Sequence, residues 1–241
     1  MKISNEKISY YWSDIDKRLK SLQENGYVKL PSLSTIIDLN SLSDSINREM
    51  TGLTFAELGV THSNFIKALK LDSELTPKLF KIAKDNFGYN GNIANQYHIA
   101  RNVQPGNSKE MYRPHFDSHL FTIVFPVKIP KANNSDSAGE LIYFPHAREN
   151  PKSEARNFFD KLYFKRYASK ERLKKYAKNN KHIIESFDDY SPLIFIGNTT
   201  LHTNKAVSKT CSSFRLTLLS HFFDPSPKYG VGGILRLIRS R

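Results

Sequence analysis

Residues 112–127, Tyr-Arg-Pro-His-Phe-Asp-Ser-His-Leu-Phe-Thr-Ile-Val-Phe-Pro-Val, determine how the rest of the chain is interpreted. Their second half is a run of β-branched and aromatic residues, which is typical of a β-strand. His115 and Asp117 stand ahead of that run with one residue between them. Because side chains two residues apart on an extended segment point to the same side, both groups are expected to be able to bind one metal ion at the start of a strand.

A second histidine, His202, follows a short apolar strand predicted over 193–196 and a Gly-Asn turn. Two imidazoles and one carboxylate form the ligand set of a facial non-haem Fe(II) site, which leaves coordination positions open for reacting molecules. His-x-Asp alone is a weak signal in a chain that contains eight histidines. The metal-site hypothesis therefore depends on His115, Asp117 and His202 together.

Two further polar residues lie on one face of the last predicted strand, over about 213–222. Apolar side chains at the even positions from Phe214 to Leu218 alternate there with Arg215 and Thr217 at the odd positions, which is the period of a strand. A guanidinium stays charged in a dry pocket and can bind a carboxylate through two parallel hydrogen bonds. This face is therefore suited to a carboxylate ligand.

In this order, the motifs resemble those of the Fe(II)- and 2-oxoglutarate-dependent oxygenases, with features of both the prolyl-hydroxylase-like and the phytanoyl-CoA-hydroxylase-like branches. The resemblance covers about residues 20–145 and 185–224. The matching segments are 24–33 for the opening strand, 112–117 for the first metal motif, 138–145 for the Gly-Gly-Glu-Leu strand, 201–202 with 206–207 for the distal histidine, and 215–217 for the cosubstrate clamp.

The resemblance implies a double-stranded β-helix, the cupin-like jelly roll. It also implies a hydroxylase that uses Fe(II), 2-oxoglutarate and O2, with ascorbate as an optional reductant. Desaturation and ring closure begin in the same way and stay open as outcomes. The resemblance assigns the metal to His115, Asp117 and His202, and the cosubstrate to Arg215, Thr217, Gln104 and Tyr112.

Three positions depart from the family pattern. Ala138 replaces the first glycine of the usual pair and Ala206 replaces the usual proline, changes that affect turns rather than chemistry. Gln104 precedes a Pro-Gly pair where many prolyl-hydroxylase-like members have a tyrosine that helps to hold the cosubstrate. We expect Gln104 to donate a hydrogen bond to the same cosubstrate carboxylate. Because Asp117 is present, the resemblance points away from the halogenase variants, which have a small residue there.

The 241 residues fit a single oxygenase domain with a mainly β architecture and flanking helices. A helix is expected over about 13–25. We expect a helical and strand region over 1–90, a jelly-roll core over 93–224, a basic helical insertion over 151–182 and a basic tail over 225–241. Strands are predicted at about 27–30, 93–103, 119–128, 140–144, 192–196 and 213–222.

Composition favours a cytoplasmic protein. A single cysteine, Cys211, excludes an intramolecular disulfide and fits a reducing compartment. The first residues lack the apolar core of a signal peptide, and no segment approaches the ~20 apolar residues of a membrane span. The sequence does not indicate an oligomeric state.

Positive charge is concentrated in two segments. Residues 151–182 carry eleven Lys or Arg against three acids, and residues 226–241 carry four against none, so the segments supply +12 of the net +13. A basic insertion near the site favours a small anionic substrate, such as a metabolite, lipid or saccharide, that is steered by charge. An ordinary solvated helix is an equally weighted interpretation.

Other functions stay open. The enzyme could act on a protein side chain or a nucleic acid, or the jelly roll could be a non-catalytic binding module. Basic clusters with aromatic residues suit nucleic acid, but no recognisable binding motif supports that partner. The tail alternates apolar residues with arginine, which permits weak contact with a membrane surface, although docking on the protein itself or on a partner copy is favoured.

Three more side chains are candidates for substrate contact. His119 follows Asp117 by two residues, and His146 and Arg148 lie between a predicted strand and the insertion. His98 and His221 are expected to be structural.

Overall fold

The structure, a computed structural model, describes residues 3–50, 52–57, 59–107, 111–132, 136–151 and 153–225, so nearly all of the predicted tail lies outside it. The helices are α1 (Asn5–Trp12), α2 (Ile15–Asn25), α3 (Leu39–Met50), α4 (Val60–Ala68), α5 (Leu71–Glu74), α6 (Thr76–Phe87), α7 (Glu154–Lys165) and α8 (Lys170–Lys178). The strands are β1 (Tyr27–Lys29), β2 (Phe55–Glu57), β3 (Gln96–Val103), β4 (Phe121–Lys128), β5 (Leu141–Phe144), β6 (Ile183–Glu185), β7 (Leu193–Ile196), β8 (Leu201–Asn204) and β9 (Arg215–Phe222).

Two antiparallel sheets form the core. The larger sheet has the order β1-β7-β4-β9-β3-β2 and the smaller one has the order β6-β5-β8. They face each other, because Leu141 and Tyr143 of β5 pack in one cluster with Val124 of β4 and Phe195 of β7. The predicted β core with flanking helices is confirmed. Strand β4 begins at Phe121, two residues later than predicted, and the segment before it is bent.

The larger sheet is buried on both faces, which explains the continuous apolar run in β4. Phe121 and Ile123 pack in the large cluster with the helices of the N-terminal region, while Val124 packs toward the smaller sheet. Burying such a side chain contributes roughly 1.5–3 kcal/mol. Strand β9 alternates in the same way, with Leu218 toward the helices and Leu219 toward the smaller sheet.

The basic insertion is a pair of helices on the outer face of the smaller sheet. Ser153 and Ser169 cap α7 and α8 by accepting hydrogen bonds from the backbone N–H three residues later. Phe164 of α7 and Leu173 of α8 pack in one cluster with Phe144 of β5. The smaller sheet therefore has the barrel interior on one side and the insertion on the other. Within the described ranges, no helix has the length and apolar character needed to cross a bilayer.

Candidate metal centre

His115, Asp117 and His202 meet beside strand β8, as predicted. The backbones of the two histidines pair with each other, and each N–H donates to the other's carbonyl at 3.0 Å. Nε2 of His115 and Nε2 of His202 lie 3.8 and 3.7 Å from Oδ1 of Asp117. Two metal bonds of about 2.1 Å, at right angles or wider, place their ligand atoms about 3–4 Å apart. A single ion therefore fits between the three groups.

Both imidazoles are already oriented to bind a metal. Nδ1 of His115 lies 3.0 Å from the Arg113 carbonyl, and Nδ1 of His202 lies 3.1 Å from the Thr200 carbonyl. Since a carbonyl can only accept, each Nδ1 carries the hydrogen and each Nε2 keeps a free lone pair. Desolvation of the ring and the neighbouring His202 lower the pKa of His115, which favours the neutral ring at pH 7.

Asp117 is held by a polar chain that starts on strand β4. Oγ1 of Thr122 donates to Oδ2 of Asp117 at 2.5 Å and lies 3.0 Å from Nδ1 of His221. The single hydroxyl hydrogen is used on the carboxylate, so His221 must donate to Thr122. Burial alone would raise the pKa of Asp117, but His202, His221, His115 and the Thr122 hydrogen bond together bring it well below its usual range. Asp117 is therefore ionised at neutral pH.

Gly197 allows this close packing. A Cβ atom built at Gly197 would lie 2.8 Å from Oγ1 of Thr122 and 3.1 Å from Cβ of Asp117. Its carbonyl accepts the Asp117 N–H at 3.1 Å, and its own N–H donates to Leu120 at 2.8 Å. The Gly-Asn turn predicted from the sequence thus forms one wall of the site.

Arg215 is buried, with 3% of its surface exposed. Its Nε and Nη2 have no hydrogen-bond partner in the described part of the chain. Thr217 follows it on the same face of β9, opposite Arg101 of β3. Gly139 has φ +85°, and a Cβ there would lie 2.8 Å from Cδ of Arg215, so glycine provides the space for the arginine side chain. The predicted clamp is therefore a buried cation with two donor nitrogens that no described residue uses.

Arg215 lines a narrow cavity, and Arg101, Asn204 and Lys205 are among the other polar residues that line it. Arg101 donates to the Asn204 side chain. Burial and the nearby Arg101 lower the pKa of Arg215 to about 9, so the guanidinium still carries its charge at neutral pH. Asn204 follows His202 by two residues on β8, about 7 Å along the strand. The cavity therefore lies further along β8 from the metal ligand His202.

The structure does not bring Gln104 into this cavity. Gln104 is exposed and its Nε2 donates to Asn102, whose side chain in turn donates to Asn47 of α3. Tyr112 lies closer, because its backbone N–H donates to the Asn204 carbonyl at 3.0 Å. Its ring packs under the insertion, and burial raises the pKa of its hydroxyl.

The three candidate substrate residues are separated. His119 is near the metal ligands, since its ring lies 5.4 Å from that of His221 and 6.4 Å from that of Tyr97. His146 is exposed and packs against Gly26 at a separate cavity of about 260 Å³.

Arg148 makes contacts that link the insertion to the barrel. Its Nε donates to the Asn198 carbonyl at 2.7 Å and its Nη2 to Asn157 of α7 at 2.8 Å. Its Nη1 contacts Asp160 at 3.3 Å, and the guanidinium lies 4.0 Å from the centre of the Phe116 ring. A substrate role for Arg148 is thus not favoured by its position.

Three residues near the site were not predicted from the sequence, namely Arg101, Thr122 and His221. One available signal was parity: His221 follows Arg215 by six residues on a single strand, so both face the same side. The pairing of Thr217 with Arg101 and of Thr122 with His221 depends on strand register. Register between distant strands cannot be derived from the alternation of either strand.

Comparisons by sequence found no matching family model and no similar curated protein. Solved structures do match. A prolyl-4-hydroxylase from Pseudomonas putida aligns with a TM-score of 0.50 at 11% identity, over 94% of this chain and 99% of that chain. One from Phytophthora capsici aligns with a TM-score of 0.54 at 11% identity, over 98% and 73% of the two chains.

A prolyl hydroxylase from Trichoplax adhaerens, in complex with a hypoxia inducible factor peptide fragment, aligns with a TM-score of 0.51 at 11% identity, over 92% of this chain and 94% of that chain. SnoN, a non-heme alpha-ketoglutarate-dependent epimerase from nogalamycin biosynthesis, aligns with a TM-score of 0.50 at 10% identity, over 91% of this chain and 88% of that chain. At these identities the likeness defines the fold. The chain has the jelly-roll fold of the Fe(II)/2-oxoglutarate oxygenases, as the motifs predicted.

Proposed function

We propose that this protein is an Fe(II)- and 2-oxoglutarate-dependent oxygenase that hydroxylates a small anionic substrate. The observation that carries the proposal is the convergence of two imidazoles and one carboxylate, together with a buried arginine whose Nε and Nη2 have no hydrogen-bond partner among the described residues. His115, Asp117 and His202 would hold the iron. Arg215 and Thr217 would bind the distal carboxylate of 2-oxoglutarate.

With Fe(II), 2-oxoglutarate and O2 bound, the centre would supply the oxidising equivalent that inserts oxygen into a C–H bond, with release of succinate and CO2. The protein contributes orientation, charge and a dry interior. The carbonyls of Arg113 and Thr200 fix the two imidazole rings, and Thr122 fixes Asp117. Phe195, whose ring lies 4.8 Å from that of His202, excludes water from the inner side of the centre.

The donor set supports iron, because imidazole with carboxylate and open positions is the arrangement of non-haem Fe(II) oxygenases. The buried Arg215, whose Nε and Nη2 find no hydrogen-bond partner in the described ranges, supports a carboxylate-bearing cosubstrate, since a bidentate carboxylate would satisfy both nitrogens. A reducing compartment such as the cytoplasm fits the single, buried Cys211.

A small anionic substrate is supported by the basic insertion, whose eleven Lys or Arg outnumber three acids. A protein side chain is the second candidate, because three of the matched structures are prolyl hydroxylases and one of them holds a peptide fragment. The fold alone hosts both kinds of substrate.

The experiment is a ligand-dependent stability measurement on the purified protein without oxygen, followed by a turnover assay. Fe(II) and then 2-oxoglutarate should each raise the free energy of unfolding, by about 2.7 kcal/mol at a hundredfold excess over the dissociation constant. His202→Ala should abolish both increments, whereas the matched variant His182→Ala should keep them. Succinate release in air would then test turnover. Absence of any stabilisation by Fe(II) would refute the proposal and favour a non-catalytic module.

A further inference from the structure

We propose that the outward face of helix α7 docks on the anionic surface of a lipid bilayer. Four large apolar side chains lie exposed within six residues of this helix: Phe158 (48% exposed), Phe159 (65%), Leu162 (56%) and Tyr163 (49%). Single exposed apolar residues are common on soluble proteins, but a contiguous group usually marks an interaction surface. We call these four residues the apolar row.

The apolar row cannot turn inward, because the opposite face of α7 is already used. At about 100° per residue, the four side chains fall within an arc of about 140°, and Asp160 and Phe164 fall on the far side. Phe164 is only 8% exposed, and its ring lies 5.1 Å from that of Phe116. Asp160 binds Arg148 at 3.3 Å. These contacts fix the helix with the apolar row toward solvent.

Cations border the apolar row on α7. Arg156, whose side chain is 71% exposed and whose Nε lies 3.0 Å from Asp160, follows one edge of the row, and Lys165 follows the other. The Arg166 guanidinium lies 3.4 Å from the centre of the Tyr163 ring. Nine exposed cations lie on this helix pair and its flanks: Arg156, Lys165, Arg166, Lys170, Arg172, Lys174, Lys175, Lys178 and Lys181.

An apolar centre with a cationic border is the arrangement of helices that lie in a bilayer interface. The apolar side chains enter the boundary between headgroups and acyl chains, while lysine and arginine contact anionic headgroups. Lysine and arginine stems are long enough to keep their charges at the headgroup level as the helix sinks. The geometry and the charge of α7 therefore point to the same partner.

Two other occupants fit less well. A two-fold contact between copies would place this segment, with eleven Lys or Arg and three acids, against itself, and like charges would repel. Nucleic acid would satisfy the cations, but Leu162 offers no ring for base stacking, and the cations border the row instead of alternating with it. Both remain as distinct outcomes of the test.

Docking through α7 would place the metal centre close to the lipid surface. Phe116 stands between His115 and Asp117 in the chain, and it packs directly on Phe164 of α7. The inference does not depend on the proposed oxygenase activity, since it concerns where the protein binds. If both hold, the substrate would be an amphiphile or headgroup reached from the membrane surface.

The test is cosedimentation of the full-length protein with vesicles of pure phosphatidylcholine and with vesicles that also contain phosphatidylglycerol. We expect binding to the anionic vesicles, weakened by high salt, and little binding to the neutral ones. Phe158→Ser/Phe159→Ser should lower the affinity at least about tenfold. The matched double variant Tyr10→Ser/Leu53→Ser removes exposed apolar residues elsewhere and should bind like the unchanged protein. Thermal unfolding confirms that each variant is folded.

Four results would overturn the inference. One is equal binding to neutral and anionic vesicles. A second is loss of binding in Arg236→Glu/Arg239→Glu together with full binding by the Phe158/Phe159 variant, which would assign the membrane contact to the tail. The third is that the protein forms a dimer and the Phe158/Phe159 variant is monomeric. The fourth is that the protein binds DNA or RNA but no vesicles, and that the Phe158/Phe159 variant loses the nucleic-acid binding.

Discussion

Oγ1 of Thr122 lies 2.5 Å from Oδ2 of Asp117, and Nδ1 of His221 lies 3.0 Å from the same hydroxyl. These two contacts connect the candidate metal carboxylate to strands β4 and β9. Hydrogen bonds from the protein itself therefore orient the carboxylate. Asp117 precedes a bent segment outside the sheet, but side chains of the sheet fix its position.

Thr122→Val should weaken metal binding by about 10- to 100-fold, because it removes the hydroxyl that orients Asp117 and keeps the shape of the side chain. Calorimetric titration with Fe(II) under anaerobic conditions, or with redox-stable Mn(II), measures the effect. Thr203→Val is the matched control, since Thr203 is equally buried in β8 and its hydroxyl has no partner among the described residues. Equal affinities for the two variants would show that Thr122 does not position Asp117.

Arg215→Met should strongly weaken the binding of 2-oxoglutarate while leaving the affinity for the metal unchanged. Hydrogen bonds to charged groups contribute about 1.5–3 kcal/mol each, so loss of a bidentate pair should raise the cosubstrate dissociation constant by about 100-fold or more. The measurement is a 2-oxoglutarate titration of the metal-loaded protein. Arg48→Met, an exposed arginine in α3, is the control and should have no effect.

The same Arg215→Met variant should be more stable than the unchanged protein when no ligand is present. Burial lowers the pKa of Arg215 to about 9, and two of its nitrogens have no partner within the described ranges, so burying this charge costs free energy. Methionine fills similar volume without that cost, and we expect a gain of about 1–3 kcal/mol. Urea unfolding without ligands measures it. A loss of stability would mean that the guanidinium is well satisfied in the ligand-free protein.

Acid should destabilise the protein through His62. His62 is 1% exposed, and burial together with His98 lowers its pKa from 6.5 to about 3. The unfolded chain therefore binds a proton first as the pH falls, and stability is lost progressively between pH 6.5 and 3. At 1.36 kcal/mol per unit, this group costs about 2 kcal/mol between pH 6.5 and 5.

Urea unfolding at pH 7 and pH 5 tests this pH dependence. His62→Leu should reduce the loss on acidification, since leucine does not titrate and neither ring nitrogen of His62 has a hydrogen-bond partner among the residues that the structure describes. His146→Asn should keep the full loss, because His146 is exposed and asparagine tolerates its positive φ of 52°. An unchanged pH dependence in His62→Leu would exclude His62 as the acid-sensitive group.

Arg148→Ala should destabilise the fold by about 3 kcal/mol, because it leaves Asp160 and the Asn198 carbonyl without a buried donor. Arg156→Ala removes the exposed partner of the same Asp160 and should cost less than about 1 kcal/mol. Chemical denaturation of both variants makes the comparison. Similar losses for the two would contradict a linking role for Arg148.

Much of the barrel and the metal ligand set could be predicted because strand alternation and ligand chemistry are local properties. Arg215 and Thr217 share a face with His221 for that reason. The prediction for Gln104 lacked support because the face of β3 toward the cavity is set by pairing with β9, which places Arg101 there instead.

Two other features depend on long-range packing. Periodicity predicted helices in the insertion, but Phe164 is buried while Phe158 and Phe159 face solvent, and the pattern of α7 alone allows either choice. His146 has φ +52° directly after β5, so the chain turns and Arg148 is directed toward Asn198 and α7. Neither the buried face of α7 nor the direction of Arg148 can be derived from the local sequence.

The reciprocal backbone hydrogen bonds between His115 and His202 have a consequence for how the candidate metal site is filled. The main chain itself joins these two candidate ligands, so backbone hydrogen bonds set their spacing without help from a metal ion. If the protein is the Fe(II) oxygenase proposed above, iron lost by oxidation could be replaced without refolding. The occupancy of the protein would then follow the supply of ferrous iron, and its output would rise and fall with the iron status of its surroundings.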